Sequence, residues 1–145
     1  MKICVINGPN LNMLGLREPE IYGNMTLDDL NKKIETYCKT KNIEVSFFQS
    51  NSEGELIDKL HSLFSVVDFV VFNPGAYTHT SFALYDAIKS INLPVIEVHL
   101  SNIHGRTEEF RKKSVTAAAC AGQISGFGYN SYLLPVDAII RMTSK

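Results

Sequence analysis

The sequence predicts an open α/β domain built on a five-stranded parallel sheet. Short apolar runs of strand length alternate with one-sided apolar stripes at helical spacing, and several of the runs are apolar without interruption, as strands covered on both faces are. The runs also end in polar, turn-forming residues, which marks one end of the sheet as chemically distinct.

The first strand is Ile3-Cys4-Val5-Ile6, stopped by Asn7-Gly8-Pro9. A long loop, residues 10–25, leads to a helix with apolar Leu27, Leu30, Ile34, Tyr37 and Cys38, opened by Thr26 with Asp29 three residues on, close to a capping box. Val45 to Phe48 is the second strand. Ser52 and Glu55 form a second capping-box pattern ahead of the stripe Leu56, Ile57, Leu60, Leu63 and Phe64. Val66 to Phe72 is the third strand, ended by Asn73-Pro74-Gly75, and a helix from about Ser81 to Ser90 carries Leu84, Tyr85 and Ile88. Val95 to Leu100 is the fourth strand. Arg106 to Lys113 reads as one or two polar helical turns, and Thr116 to Ile124 suits helix or strand by propensity alone. The fifth strand is assigned to residues 119–125, because Gly126-Phe127-Gly128 then turns the chain into a closing helix with Leu133, Val136, Ile139 and Ile140. Pro135 limits that helix to a start after its own position or a kink there. Five strands alternating with helices favour the flavodoxin-like order 2-1-3-4-5, in a single domain spanning residues 1–145 with the loop of residues 10–25 as a lid.

Composition narrows the function. Fourteen basic and fifteen acidic residues leave a net charge of −1, which gives no electrostatic footprint for nucleic acid or an anionic membrane. Any anion must be bound locally. Cys4, Cys38 and Cys120 are odd in number and lack C-x-x-C spacing, so they read as small hydrophobes in a reducing cytoplasm and not as a disulfide framework or a zinc site. The short apolar run after Met1-Lys2 is too brief for a signal sequence or a membrane span.

In the order 2-1-3-4-5, ligands bind outside the carboxyl ends of strands 1, 3 and 4, where the polar strand ends fall. Glu97 and His99 are two apart on one strand and share a face, which gives an oriented imidazole. A carboxylate beside a histidine fixes its tautomer and favours its protonated form, the requirement for a general acid near neutral pH. The lid carries Arg17 and Tyr22. His79 and Asp86 flank the start of the third helix, where they suit capping or surface roles equally, and His61 reads as a surface residue.

Three blocks then resemble one family in order along the chain: Ile6-Asn7-Gly8-Pro9-Asn10-Leu11-Asn12, Asn73-Pro74-Gly75-Ala76-Tyr77-Thr78-His79-Thr80-Ser81, and Glu97-Val98-His99-Leu100-Ser101-Asn102. With Glu109-Phe110-Arg111 and residues 122–128, they resemble type II 3-dehydroquinate dehydratase. The resemblance implies a flavodoxin-like, cofactor-free lyase of the shikimate pathway, which leads to chorismate and the aromatic amino acids. Such an enzyme removes water from 3-dehydroquinate to give 3-dehydroshikimate, works without a metal, and assembles as a dodecamer of trimers. It implies Tyr22 as base in the tyrosinate form, Arg17 as the cation that favours it, Asn10 as enolate stabiliser through water, and His99, held by Glu97, as the acid. Asn73 and the backbone amides of Leu100 and Ser101 take the carboxylate; His79 and Arg111 take ring hydroxyls; Asp86 reaches an adjacent subunit's pocket. The segment from His104 to Arg111 runs one residue longer than the family's usual spacing, so Arg111 is the best match and Arg106 an alternative. Residues 129–132 and Pro135 also depart from the usual run into the closing helix.

A competing expectation is a flavodoxin-like module binding FMN or a phosphate. That role favours a loop rich in Gly, Ser and Thr after strand 1, whereas Pro9 removes one of the few free amides there.

Overall fold

The computed structural model describes residues 1–16, 20 and 23–144. Strands β1 (Lys2–Asn7), β2 (Glu44–Gln49), β3 (Phe69–Asn73), β4 (Val95–His99) and β5 (Gly122–Ser125) form one parallel sheet in the order β2-β1-β3-β4-β5. This is the flavodoxin-like order expected from the alternation of runs. Among the described residues, helices α1 (Leu27–Thr40), α2 (Glu53–Ser62), α3 (Phe82–Ser90) and α4 (Asn130–Thr143) cover the sheet.

The period-2 alternation of each strand divides the core in two. Ile3, Val5, Phe69, Val71, Ile96 and Val98 pack with Leu30, Ile34 and Cys38 of α1 and with Tyr132, Val136 and Ile139 of α4. Cys4, Ile6, Val70, Phe72 and Val95 face the other way, against Leu56 and Leu60 of α2 and Leu84 and Ile88 of α3. Glu97 and His99 continue the second face past Val95, so the pair is aimed by the pleat itself.

Thr26 closes the capping box foreseen for α1: its hydroxyl accepts from the Asp29 amide at 3.1 Å, and the Asp29 carboxylate accepts from the Thr26 amide at 3.2 Å. At α2 only half of the box forms. Ser52 accepts from the Glu55 amide at 3.3 Å, but the Glu55 carboxylate takes the Ser50 hydroxyl instead of the backbone.

Several strand boundaries differ from expectation, with β1 and β2 each one residue longer at both ends. β3 begins at Phe69, because the chain from Leu63 to Val67 is occupied in a turn that closes α2, with Val66 N donating to Leu63 O at 2.9 Å. That turn leaves Phe64 and Val66 exposed, outside the stripe and the strand to which they were assigned. β4 ends at His99, one residue early, and β5 starts at Gly122, after a 3-10 turn over Ala117–Ala119. The polar stretch before it holds a single 3-10 turn, Glu109–Lys112.

Pro135 lies inside α4, which starts five residues before it. Proline in a helix forfeits one hydrogen bond and costs about 3 kcal/mol. The first turn is anchored independently: Asn130, Ser131 and Tyr132 donate to the carbonyls three residues back, and Tyr132 is fully buried.

Tyr132 also ties the sheet's functional end together. Asn7 and Asn73 are partners in the β1–β3 register. Between them, the Tyr132 hydroxyl donates to Asn7 Oδ1 at 2.6 Å and accepts from Asn73 Nδ2 at 2.8 Å. Burial pushes the phenol far above its ordinary value and the Asn73 hydrogen bond offsets only part of this, so Tyr132 stays neutral. Tyr132→Phe leaves two buried amide groups short of a partner, with an expected loss of roughly 1–3 kcal/mol. Urea denaturation at constant m-value measures it; an unchanged midpoint would show that the bridge contributes nothing.

Candidate active site

The turns after β1 and β3 interlock. A Cβ on Gly8 would lie 2.4 Å from Pro74 O, and one on Gly75, whose φ is +62°, would lie 2.9 Å from Pro9 O. Each glycine therefore sits where the other turn's proline leaves no room for a side chain. The Gly8 amide is spent on Asn73 O at 2.8 Å. With Pro9 lacking an amide and the Gly8 amide committed, this turn is poorly suited to cradle a phosphate, which tells against the flavin or phosphate reading.

Beyond this joint, Asn10 adopts the left-handed conformation, φ 70°, with its amide held by Asn51 Oδ1 at 2.9 Å. Asn51 also accepts Gln49 Nε2 at 3.2 Å and, at its carbonyl, the Tyr77 hydroxyl at 2.9 Å. At Gly15, φ +83°, a Cβ would meet the carbonyl oxygens of Asn24 and Met25 at 2.9 Å, so the two stems of the expected lid touch. Arg17 and Tyr22 lie outside the described residues.

A cleft of about 590 Å³ opens at the carboxyl ends of β1, β3 and β4. It is lined by Asn10, Asn73, His99, Leu100, Ser101 and Arg111, six of the residues expected at the site, and also by Arg106. His79 stands one step back, with its Nε2 3.4 Å from Arg106 Nη1 and its Nδ1 2.6 Å from Lys113 O. Asp86 is exposed on α3 and does not line the cleft. The choice between the two arginines acquires geometry here. Arg106 Nη2 donates to Ser101 Oγ at 3.0 Å, whereas Arg111 Nε donates to Glu108 Oε1 at 3.1 Å with its side chain 42% exposed.

Glu97 is the deepest group of the site, with 0% exposure, and His99 has 4%. Burial alone would raise the Glu97 pKa, but hydrogen bonds from His99, Thr116 and Gln123 outweigh it and hold the group at about 2. Its Oε2 accepts His99 Nε2 at 2.9 Å, Ser114 Oγ at 2.8 Å and Gln123 Nε2 at 2.6 Å, and its Oε1 accepts the Thr116 hydroxyl. Counting protons fixes the protonation state. All four groups donate, and with the Ser114 and Thr116 protons committed to Glu97, the Thr78 hydroxyl, 2.9 Å from each of them, is left as the donor to one. No acceptor remains for a carboxyl proton. Glu97 is therefore ionised and His99 carries a proton on Nε2. His99 Nδ1 has no partner among the described residues.

Sequence reasoning missed Thr78, Ser114, Thr116 and Gln123. The available signals were the hydroxyls at Ser114 and Thr116, two apart, and Gln123, a polar residue in an assigned strand that pairs with Glu97 in the β4–β5 register. Among the described residues there is no group of three or more side chains suited to hold a metal ion, and no helix is long and apolar enough to cross a membrane.

The model of the family described as dehydroquinase class II matches residues 1–140. The chain belongs to that family. It is 58% identical over 145 residues to a 3-dehydroquinate dehydratase of Clostridium acetobutylicum, covering all of both chains. It is 58% identical over 139 residues to one of Caldicellulosiruptor bescii, covering 95% of each. The crystal structure of type II dehydroquinase from Butyrivibrio crossotus superposes with a TM-score of 0.93 at 52% identity, covering 96% of this chain and 97% of that one.

The depressed Glu97 pKa makes acid stability a test of the network. A carboxylate held at about 2, against an ordinary 4.5, contributes stability that is complete above 4.5 and is lost as pH falls through the folded value. The shift corresponds to roughly 3 kcal/mol. Unfolding free energy should fall between about pH 5 and pH 2, and Thr116→Val, which raises the folded pKa, should make that fall smaller and end it at a higher pH while its onset near the unfolded value stays put. Superimposable pH–stability curves for the two proteins would reject the assignment.

Proposed function

We propose that the chain dehydrates 3-dehydroquinate to 3-dehydroshikimate through an enolate, as a lyase of the shikimate pathway. The observation that carries this reading is His99 lining the cleft, with its Nε2 bound to a buried Glu97 that is ionised near neutral pH. Loss of a proton beside the ketone forms the enolate, and the carbon–oxygen bond to the tertiary hydroxyl then breaks. The hydroxyl leaves as water if an acid supplies a proton as it departs. Because Nε2 is committed to Glu97, the donated proton comes from Nδ1, and Glu97 stabilises the imidazolium before transfer without giving up its own charge.

The other roles follow the family resemblance. Tyr22, as tyrosinate, removes the proton, with Arg17 offsetting its charge; Asn10 binds the enolate oxygen through water. Asn73 and the amides of Leu100 and Ser101 receive the carboxylate. Neither amide makes a hydrogen bond among the described residues, which supports that role. Arg111 serves ring hydroxyls, and His79 completes that flank beside Arg106. Asp86, exposed on α3, reaches the pocket of an adjacent subunit in a dodecamer of trimers. We place the enzyme in the cytoplasm as one catalytic domain over residues 1–145, consistent with the unpaired Cys4, Cys38 and Cys120.

Purified protein mixed with 3-dehydroquinate should develop the ultraviolet absorbance of the product's conjugated enone. A folded sample that develops none rejects the dehydratase reading. In the active protein His99→Ala should lower kcat by about a hundredfold or more, the usual scale for a general acid. Wild-type turnover in that variant would move the acid elsewhere.

Tyr22→Phe keeps the ring and removes the ionisable oxygen, so turnover should be nearly abolished while ligand binding persists. Arg17→Ala should also cripple turnover, but with residual activity that climbs toward alkaline pH more steeply than the wild type's, since the base then has to ionise unaided. Retention of most of kcat by Tyr22→Phe would reduce the tyrosine to a packing role.

A further inference from the structure

Under the dehydratase reading, the groups assigned to the substrate's carboxylate are all neutral: one side-chain amide and two backbone amides. A net charge of −1 supplies no general attraction for an anion. The cationic side chains lining the cleft, among the described residues, are Arg106 and Arg111. Arg111 is half-exposed and its Nε is bonded to Glu108, which also lines the cleft, so much of its charge is already answered. Arg106 has no carboxylate partner among the described residues, and it is clamped at two points by neutral groups, Ser101 Oγ and His79 Nε2.

The second clamp fixes a proton. Lys113 O can only accept, so His79 Nδ1, 2.6 Å away, is the ring nitrogen that carries the hydrogen. A guanidinium can only donate, so the Nε2 facing Arg106 is a lone pair and the imidazole is neutral. The charged and titratable groups acting on His79 are Arg106, His99 and Arg111, with Lys113 meeting it through its carbonyl and Phe110 edge-on. Burial lowers the imidazole's pKa, the Lys113 hydrogen bond opposes it, and these charges add to the lowering, so the ring sits below its ordinary value.

Two of the five N–H groups of Arg106 are thus used to hold it still, and three remain. Its Nη2 sits 3.0 Å from the side chain of Ser101, the residue whose amide is one of the assigned carboxylate donors. We propose that Arg106 is the cation that receives the substrate carboxylate, held in place by Ser101 and a neutral His79, and so sets the enzyme's preference for an anionic ring acid. The extra residue before Arg111 leaves that arginine to Glu108 and the cleft's charge to Arg106.

The test compares 3-dehydroquinate with its methyl ester, by calorimetry in a His99→Ala background, where turnover does not interfere. The acid should bind at least tenfold more tightly than the ester, the scale of a charge-assisted hydrogen bond. Arg106→Leu should erase most of that preference by weakening the acid alone, Arg106→Lys should retain part of it, and Arg111→Leu should leave it nearly intact. Nitrogen NMR of the imidazoles should report His79 protonated on Nδ1 in the parent protein, with its titration moving to higher pH in Arg106→Leu. An acid–ester preference that survives Arg106→Leu, or that is lost instead in Arg111→Leu, overturns the proposal, as does a His79 protonated on Nε2. If wild-type protein binds the acid selectively but forms no enone, the dehydratase reading fails while the role of Arg106 stands.

Discussion

A buried carboxylate that receives four donors organises this molecule's chemistry. Taking Glu97 out of water would cost several kcal/mol if it were unpaired. The cost is met by four groups from three places in the chain: His99 on its own strand, Ser114 and Thr116 on the segment after the Glu109–Lys112 turn, and Gln123 on β5. The carboxylate therefore does more than orient an imidazole. It recruits the polar, irregular stretch between β4 and β5 and fixes it against the sheet, and that stretch also supplies Arg106, Arg111 and the carbonyl that pins His79.

The other end of the cleft rests on neutral groups. The Asn7–Tyr132–Asn73 bridge joins two adjacent strand ends to the first turn of the last helix, and the Gly8–Pro74 and Gly75–Pro9 contacts lock the turns that follow. An ionised acid–base pair and a neutral amide–phenol bridge thus occupy opposite faces of one sheet. Each is aimed by the two-residue alternation of its strand. Stability and reactivity share these parts, since Asn73 serves both the bridge and the cleft.

Much of this was legible in the sequence because it depends on local pattern. The uninterrupted apolar runs gave the strands, Thr26 and Asp29 gave the start of α1, and Glu97-x-His99 gave a same-face pair. What was not legible depends on contacts distant in sequence. Phe64 and Val66 continue an apolar pattern, yet α2 closes at Ser62 and leaves both outside. Pro135 reads as a helix boundary, yet the buried Tyr132 holds the turn before it. Thr116 and Gln123 are ordinary residues until register sets them beside Glu97. The family resemblance carried the roles of Arg17 and Tyr22, which no spacing rule supplies.

The reciprocal contact of the two turns bears on how such a domain can be re-engineered. Loops at the carboxyl end of a parallel sheet are usually treated as interchangeable modules, each free to be replaced while the scaffold stays put. Here the turn after β1 and the turn after β3 form one unit with two halves, because each glycine is small to suit the other's proline. A graft that exchanges one turn alone brings a Cβ into a backbone oxygen and displaces the partner, carrying Asn10 or Asn73 with it. For transplantation, and for recombination between relatives, the inheritable element is the pair.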